Sequence, residues 1–137
     1  MYIRSDTNDY DIDRAFSADL HTRSNSARLT QSKELMEIYL YDPEADVRQN
    51  LADNYYAPAD ILDLLANDAA AYVRQTVGYN YNTSIRTLRH LAKDSDAWVR
   101  GAVATNRKTP SDVLDTLASD PSQYVRDLAV RNPRYGS

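Results

Sequence analysis

The sequence repeats itself every 26 residues, and this period restricts the fold more than any other feature. Val-Arg stands at Val47-Arg48, Val73-Arg74, Val99-Arg100 and Val125-Arg126. Asp42, Asp68, Asp94 and Asp120 form a second column, and Asn54, Asn80, Asn106 and Asn132 a third. Met36, Leu62, Leu88 and Leu114 form a fourth, and Tyr39, Leu65, Leu91 and Leu117 a fifth. So many columns in one register mark a stacked repeat architecture, in which each unit buries its apolar face only against its neighbours.

Within a unit the pattern reads as two helical pieces. Around residues 58–66, Ile61, Leu62, Leu65 and Ala66 keep the i, i+3, i+4 spacing of a one-sided helix. Thr109-Pro110-Ser111-Asp112 reads as the start of the same piece one period pair later, with a hydroxyl cap, a first-turn proline and a carboxylate at the third position. The second piece is predicted to start at the aspartate column, where Pro follows in Asp42-Pro43 and Asp120-Pro121. It buries Val47/Leu51, Val73/Val77, Val99/Val103 and Val125/Ala129. The asparagine column follows it, at the place where helices commonly end on a left-handed residue. Residues 1–27 fall outside the period. Ile12, Ala15, Phe16 and Leu20 predict a capping helix near residues 11–21, covering the apolar end of the stack. The first ten residues are polar, a composition compatible with disorder. The expected organisation is therefore an N-terminal extension with a capping helix (1–27) and a helical solenoid (28–137).

The block Asn106 to Arg126, NRKTPSDVLDTLASDPSQYVR, resembles the leucine-rich repeat variant family, a bacterial relative of the HEAT-like solenoids. The resemblance covers about residues 28–135. It implies an all-α, short right-handed α-solenoid of about four 26-residue two-helix repeats, with alternating α- and 3₁₀-type helices. The repeats run two residues longer than is usual in that family, which favours a more fully α-helical second piece. Some members carry a cysteine-bound iron–sulfur cluster, a feature this cysteine-free chain does not share.

Composition narrows the function classes. With 137 residues, one domain with a real core is expected. Zero cysteines exclude disulfides, thiol nucleophiles and cysteine-ligated metals. No apolar run approaches the roughly 20 residues of a membrane span. Arg4, Asp6 and Asp9 do not make a signal peptide, so a soluble, cytoplasmic protein is expected. The net charge of −4 opposes non-specific nucleic-acid binding, which depends on neutralising phosphates. Its spread is uneven: residues 1–98 carry 10 Lys/Arg against 16 Asp/Glu, residues 99–137 carry 6 against 4.

Several patterns imitate chemistry. Asp9, Asp11 and Asp13 open like a calcium loop, but Arg14 and Leu20 occupy its glycine and glutamate positions. His21 and His90 lie far apart, without zinc spacing. Three glycines leave no phosphate-cradling loop, and no nucleophile constellation can be assembled. No catalytic residue, metal or cofactor is assigned. On the first helix, Glu34/Glu37, Asp60/Asp63, Arg86/Arg89 and Asp112/Asp115 alternate in sign between units, as lateral ion pairs on a solvated face require. Arg86 is expected to pair with Asp60 or Asp112, and Arg89 with Asp63 or Asp115. The columns Arg48, Arg74, Arg100 and Arg126 read as structural, each guanidinium bonding an aspartate or a helix carbonyl. The asparagine amides read as satisfying loop backbone.

Aromatic residues are the best binding candidates. Tyr72, Trp98 and Tyr124 share a column, where packing between units competes with binding as an explanation. Tyr55, Tyr56, Tyr79 and Tyr81 cluster around the asparagines, where the fourth unit has Arg107 and Lys108. Large amphipathic rings on exposed loops are typical of interface hot spots. The reading is a non-enzymatic protein-interaction module, an adaptor or an inhibitor of a larger complex. The alternative is a nucleic-acid binder using Arg107, Lys108, Arg131 and Arg134 with aromatic stacking.

Overall fold

A computed structural model describes residues 9–17 and 19–137 of the chain, with side chains from residue 12 onward. Among the described residues there are ten α-helices and no strand. The first two are α1 (Asp9–Ala15) and α2 (Leu20–Leu29). The unit-starting helices are α3 (Lys33–Tyr39), α5 (Ala59–Leu65), α7 (Ile85–Leu91) and α9 (Ser111–Leu117). Alternating with them are α4 (Ala45–Ala52), α6 (Ala71–Tyr79), α8 (Ala97–Thr105) and α10 (Gln123–Arg131). Helix starts in both series recur every 26 residues, in the register of the columns.

The second helices pack in one layer, α2 on α4, α4 on α6, α6 on α8 and α8 on α10. The first helices rest mainly on the second helices flanking them. The seam between the layers holds the apolar columns. Met36, Tyr39, Leu62, Leu65, Leu88, Leu91, Leu114 and Leu117 meet Val47, Val73, Val99 and Val125 in one continuous core, all essentially sealed from water. Helices of seven to ten residues are too short to persist alone, so the packing between units is what keeps them folded.

Arginine, aspartate and asparagine tie each unit to the next. Arg74 Nε and Nη2 donate to both oxygens of Asp94 in the following unit, at 2.8 and 3.2 Å. Its Nη1 donates to the Asp68 carbonyl of its own unit at 2.8 Å. Arg48 does the same with Asp68 and the Asp42 carbonyl, and Arg100 with Asp120 and the Asp94 carbonyl. Arg126, in the fourth unit, keeps only the carbonyl bonds among the described residues, to Asp120 and Pro121. On the opposite rim the asparagines form a second ladder. Asn106 Nδ2 donates to the Gly78 and Asn80 carbonyls of the unit below, and its Oδ1 accepts from Lys108 N. Asn54, Asn80 and Asn132 repeat this arrangement.

Several local expectations are corrected. The asparagines are extended, not left-handed: Asn80, Asn106 and Asn132 have φ near −70°. Their side chains need this shape to reach the lower unit while bonding the N–H two residues on. The aspartates stand two residues before the caps of the second helices, Glu44, Ala70, Asp96 and Ser122. Each accepts the cap's backbone N–H at 2.9 Å, shaping the turn that enters the helix. Thr109 caps nothing. Pro110 is the cap residue, and the Thr109 hydroxyl donates to the Val103 carbonyl, closing α8, as Thr83 does for Val77. Both pieces of every unit are α-helical, so the 3₁₀ alternation implied by the resemblance is absent from the described residues.

The N-terminal segment differs most. In place of one capping helix near 11–21 there are two helices, broken around Asp19, whose carboxylate accepts from His21 N and Thr22 N to start α2. The apolar spacing of Ile12, Ala15, Phe16 and Leu20 runs across that break, and Phe16 and Leu20 are exposed. α2 lies on α4 as α4 lies on α6, and Arg23 donates to Asp42 at 2.9 Å and to the Ser17 carbonyl at 2.7 Å. The ladder thus extends one step below the recognisable repeats. Of the first ten residues, 1–8 lie outside the described residues and 9–10 open α1.

Burial pushes the Asp68, Asp94 and Asp120 carboxyls up. The arginine hydrogen bonds, the backbone N–H bonds and the arginine charges outweigh it and hold all three below the ordinary 3.8. A depressed folded-state value stabilises the fold above the unfolded value and loses that contribution as pH falls toward the folded one. The urea midpoint is therefore expected to be level between about pH 5 and 7 and to drop below about pH 4. Arg74→Met, which strands the mostly buried Asp94 carboxylate, should cost about 2–3 kcal/mol in urea titration. The same change at exposed Arg89 should leave the midpoint within experimental error.

Candidate functional site

The outward face of the second helices carries the aromatic column. Tyr72, Trp98 and Tyr124 sit in the first turns of α6, α8 and α10, at equivalent positions. All three remain exposed, Trp98 most, at 59%. They also touch their neighbours. The Trp98 and Tyr124 rings are tilted at 58° with centroids 4.7 Å apart, and the Tyr72 hydroxyl donates to Asp46 at 3.1 Å. Partial burial, then the Asp46 carboxylate, push the Tyr72 hydroxyl above its usual ionisation range. Contact between units and exposure to solvent are therefore both true of this column.

Gly101 explains how Tyr124 lies across the layer. A Cβ at Gly101 would stand 2.5 Å from Cε2 of the Tyr124 ring, so any larger residue would lift that ring off α8. Tyr124 then comes beside Tyr79 of α6. Burial first, and the Tyr79 hydroxyl second, push Tyr124 above the usual tyrosine value. Tyr79 is expected on a loop by its place near Asn80, but it is the last residue of α6 and half exposed. It connects the helix face to the loop rim.

On that rim Tyr55, Tyr56 and Tyr81 are exposed, Tyr55 at 83%. Tyr55 and Tyr56 meet edge to face with centroids 5.4 Å apart. Tyr55, Tyr79 and Tyr81 line one shallow hollow together with Asp53, Asn80 and Asn82. Adjacent loops form the hollow because Asn82 Nδ2 donates to the Tyr55 and Ala57 carbonyls, locking two rims together. Lys108 Nζ lies 5.5 Å from the Tyr81 ring centre and donates to the Thr83 carbonyl. Arg107, Arg131 and Arg134 are exposed, and Arg134 reaches the Lys108 carbonyl at 3.4 Å.

First-helix charges face one side as expected, but in a different register. Arg89 pairs with Asp112 at 2.7 Å, not with Asp63 or Asp115. Asp63 is occupied instead by the Ser84 and Thr87 hydroxyls. Asp60 pairs with Lys33 of the unit below, not with Arg86. The long arginine side chain reaches diagonally to the first turn of the next helix, where a carboxylate also faces free N–H groups. Arg86 is exposed beside the Asp63, Thr87 and His90 surface. Among the described residues no cluster of His, Asp or Glu could hold a metal ion, and no helix is long and apolar enough to cross a membrane.

Sequence reasoning missed Arg23, Gly101, the Tyr79–Tyr124 contact and the role of Asn82. Arg23 is displaced by one residue from the period, which hides it from any column. The other three needed only small changes read between equivalent positions: a glycine where the two units below have glutamine, Gln49 and Gln75, and an asparagine where the next unit has lysine.

No curated protein matches the sequence. The family model of the leucine rich repeat variant matches residues 97–122, running through α8 and α9 to the cap of α10, so the chain is similar to that family across one full period.

Proposed function

We propose that the chain is a non-catalytic, cytoplasmic protein-binding module, an adaptor or inhibitor within a larger assembly. Its contact surface is the second-helix face with Tyr72, Tyr79, Trp98 and Tyr124, continued onto the rim by Tyr55, Tyr56 and Tyr81. One observation carries this reading: most of the arginine column is consumed by the internal ladder, whereas the rings stay in solvent. Rigid rings lose little conformational entropy on binding and bury much area, which is why they dominate hot spots. Basic groups that could meet phosphates are few, and Lys108 is already engaged.

Affinity capture from the native host lysate identifies the partner, and titration calorimetry then measures the interaction. Replacing Tyr56 and Tyr81 together by alanine should weaken binding by about 2 kcal/mol or more. Helix content should be unchanged, since neither ring belongs to the core. Undiminished affinity, or a nucleic acid captured with a steep salt dependence, would displace this reading in favour of the basic C-terminal end.

A further inference from the structure

Two successive gaps between units differ in the side chain that reaches across them, and the difference leaves a place for a cation. In the upper gap the Lys108 ammonium donates to the Thr83 carbonyl at 2.9 Å and lies 5.5 Å from the centre of the Tyr81 ring. One period lower, Asn82 stands for Lys108, Tyr55 for Tyr81 and Ala57 for Thr83. Asn82 donates to the Ala57 carbonyl at 3.0 Å, so the backbone acceptor is satisfied as in the upper gap. The donor, however, is short and neutral. Among the described residues Tyr55 has no ammonium over its ring as Tyr81 has.

The hollow beside it has a volume of about 230 Å³, room for one side-chain head, and no lysine or arginine lines it. Three rings, Tyr55, Tyr79 and Tyr81, border it with the exposed Asp53 carboxylate, which engages no cation among the described residues. Ring faces carry negative potential, and several of them with a carboxylate attract a cation more strongly than either feature alone. The part of the chain that holds the hollow reinforces this, since residues 1–98 carry six more acidic than basic side chains.

We propose that this hollow takes the guanidinium or ammonium head of an arginine or lysine from a basic segment of a protein partner. The proposal rests on the protein-binding reading above and gives that partner its chemistry. The incoming head occupies, in the lower gap, the place that Lys108 fills in the upper one.

An arginine–serine peptide and its citrulline counterpart, titrated into the full chain, test it. The arginine peptide should bind about tenfold tighter or more, and should shift the ring-proton signals of Tyr55, Tyr79 and Tyr81. Asn82→Lys places the chain's own ammonium in the lower gap and should reduce peptide affinity about tenfold. Asp53→Asn, at an exposed position, should also weaken binding and decides the matter if the lysine variant fails to fold. Equal binding of the citrulline peptide overturns the proposal, as does peptide affinity indifferent to both substitutions. A captured partner that is sensitive to Trp98→Ala but not to Asn82→Lys would overturn this site while leaving the protein-binding reading standing.

Discussion

The rest of the structure depends on a guanidinium held between two units. Arg48, Arg74 and Arg100 each bridge a carboxylate one unit ahead and a carbonyl of their own unit, so a single side chain fixes both the spacing and the rotation of neighbours. Apolar packing drives the stack together, but it is non-directional and would tolerate slippage. The bidentate pair is not tolerant: two parallel bonds define a plane as well as a distance. The asparagine ladder on the other rim adds a second fixed point, so each unit is anchored at both ends. Among the described residues no buried side-chain nitrogen or oxygen lacks a hydrogen-bond partner, which is what makes the polar ladders affordable inside the stack.

A fixed register turns equivalent positions into rows, and the outward rows are free to vary. The variation in this chain is confined to positions outside the ladders. On the second-helix face an aspartate gives way to tyrosine, tryptophan and tyrosine. On the rim the residue two after the asparagine changes from Tyr56 to Asn82, Lys108 and Arg134. Its backbone N–H makes the same bond in all four units, so the side chain can change without altering the frame. The frame's backbone bonds thus stay the same while the outward side chains differ from unit to unit.

Much of the frame was legible because periodicity reports it directly. The apolar columns, the arginine–aspartate pairing and the asparagine amides all follow from residues recurring at one spacing. What escaped was set by local geometry. The break at Asp19 was hidden because apolar residues on both sides of it happen to continue a helical spacing. The threonine hydroxyl at Thr109 looked like a cap, yet it donates to a carbonyl near the end of the preceding helix. Diagonal pairing of Arg89 with Asp112 depends on side-chain reach, which spacing does not encode. The aromatic surface was half visible. Its two sets could be found as columns and clusters, but their junction at Tyr79 required knowing that Gly101 lets Tyr124 lie flat.

The register itself is testable by shortening the chain. Removing residues 71–96, one period of 26, joins Ala70 to Ala97 and brings Arg100 to the place of Arg74, with Asp120 still one unit ahead. Urea unfolding followed by circular dichroism should then show one cooperative helical transition, at a lower midpoint because the stack is shorter. Removing residues 71–95 instead leaves Asp96 as an extra residue before α8 and displaces both ladders, and should abolish the cooperative transition. If both shortened chains unfold alike, packing alone sets the register and the ladders are incidental.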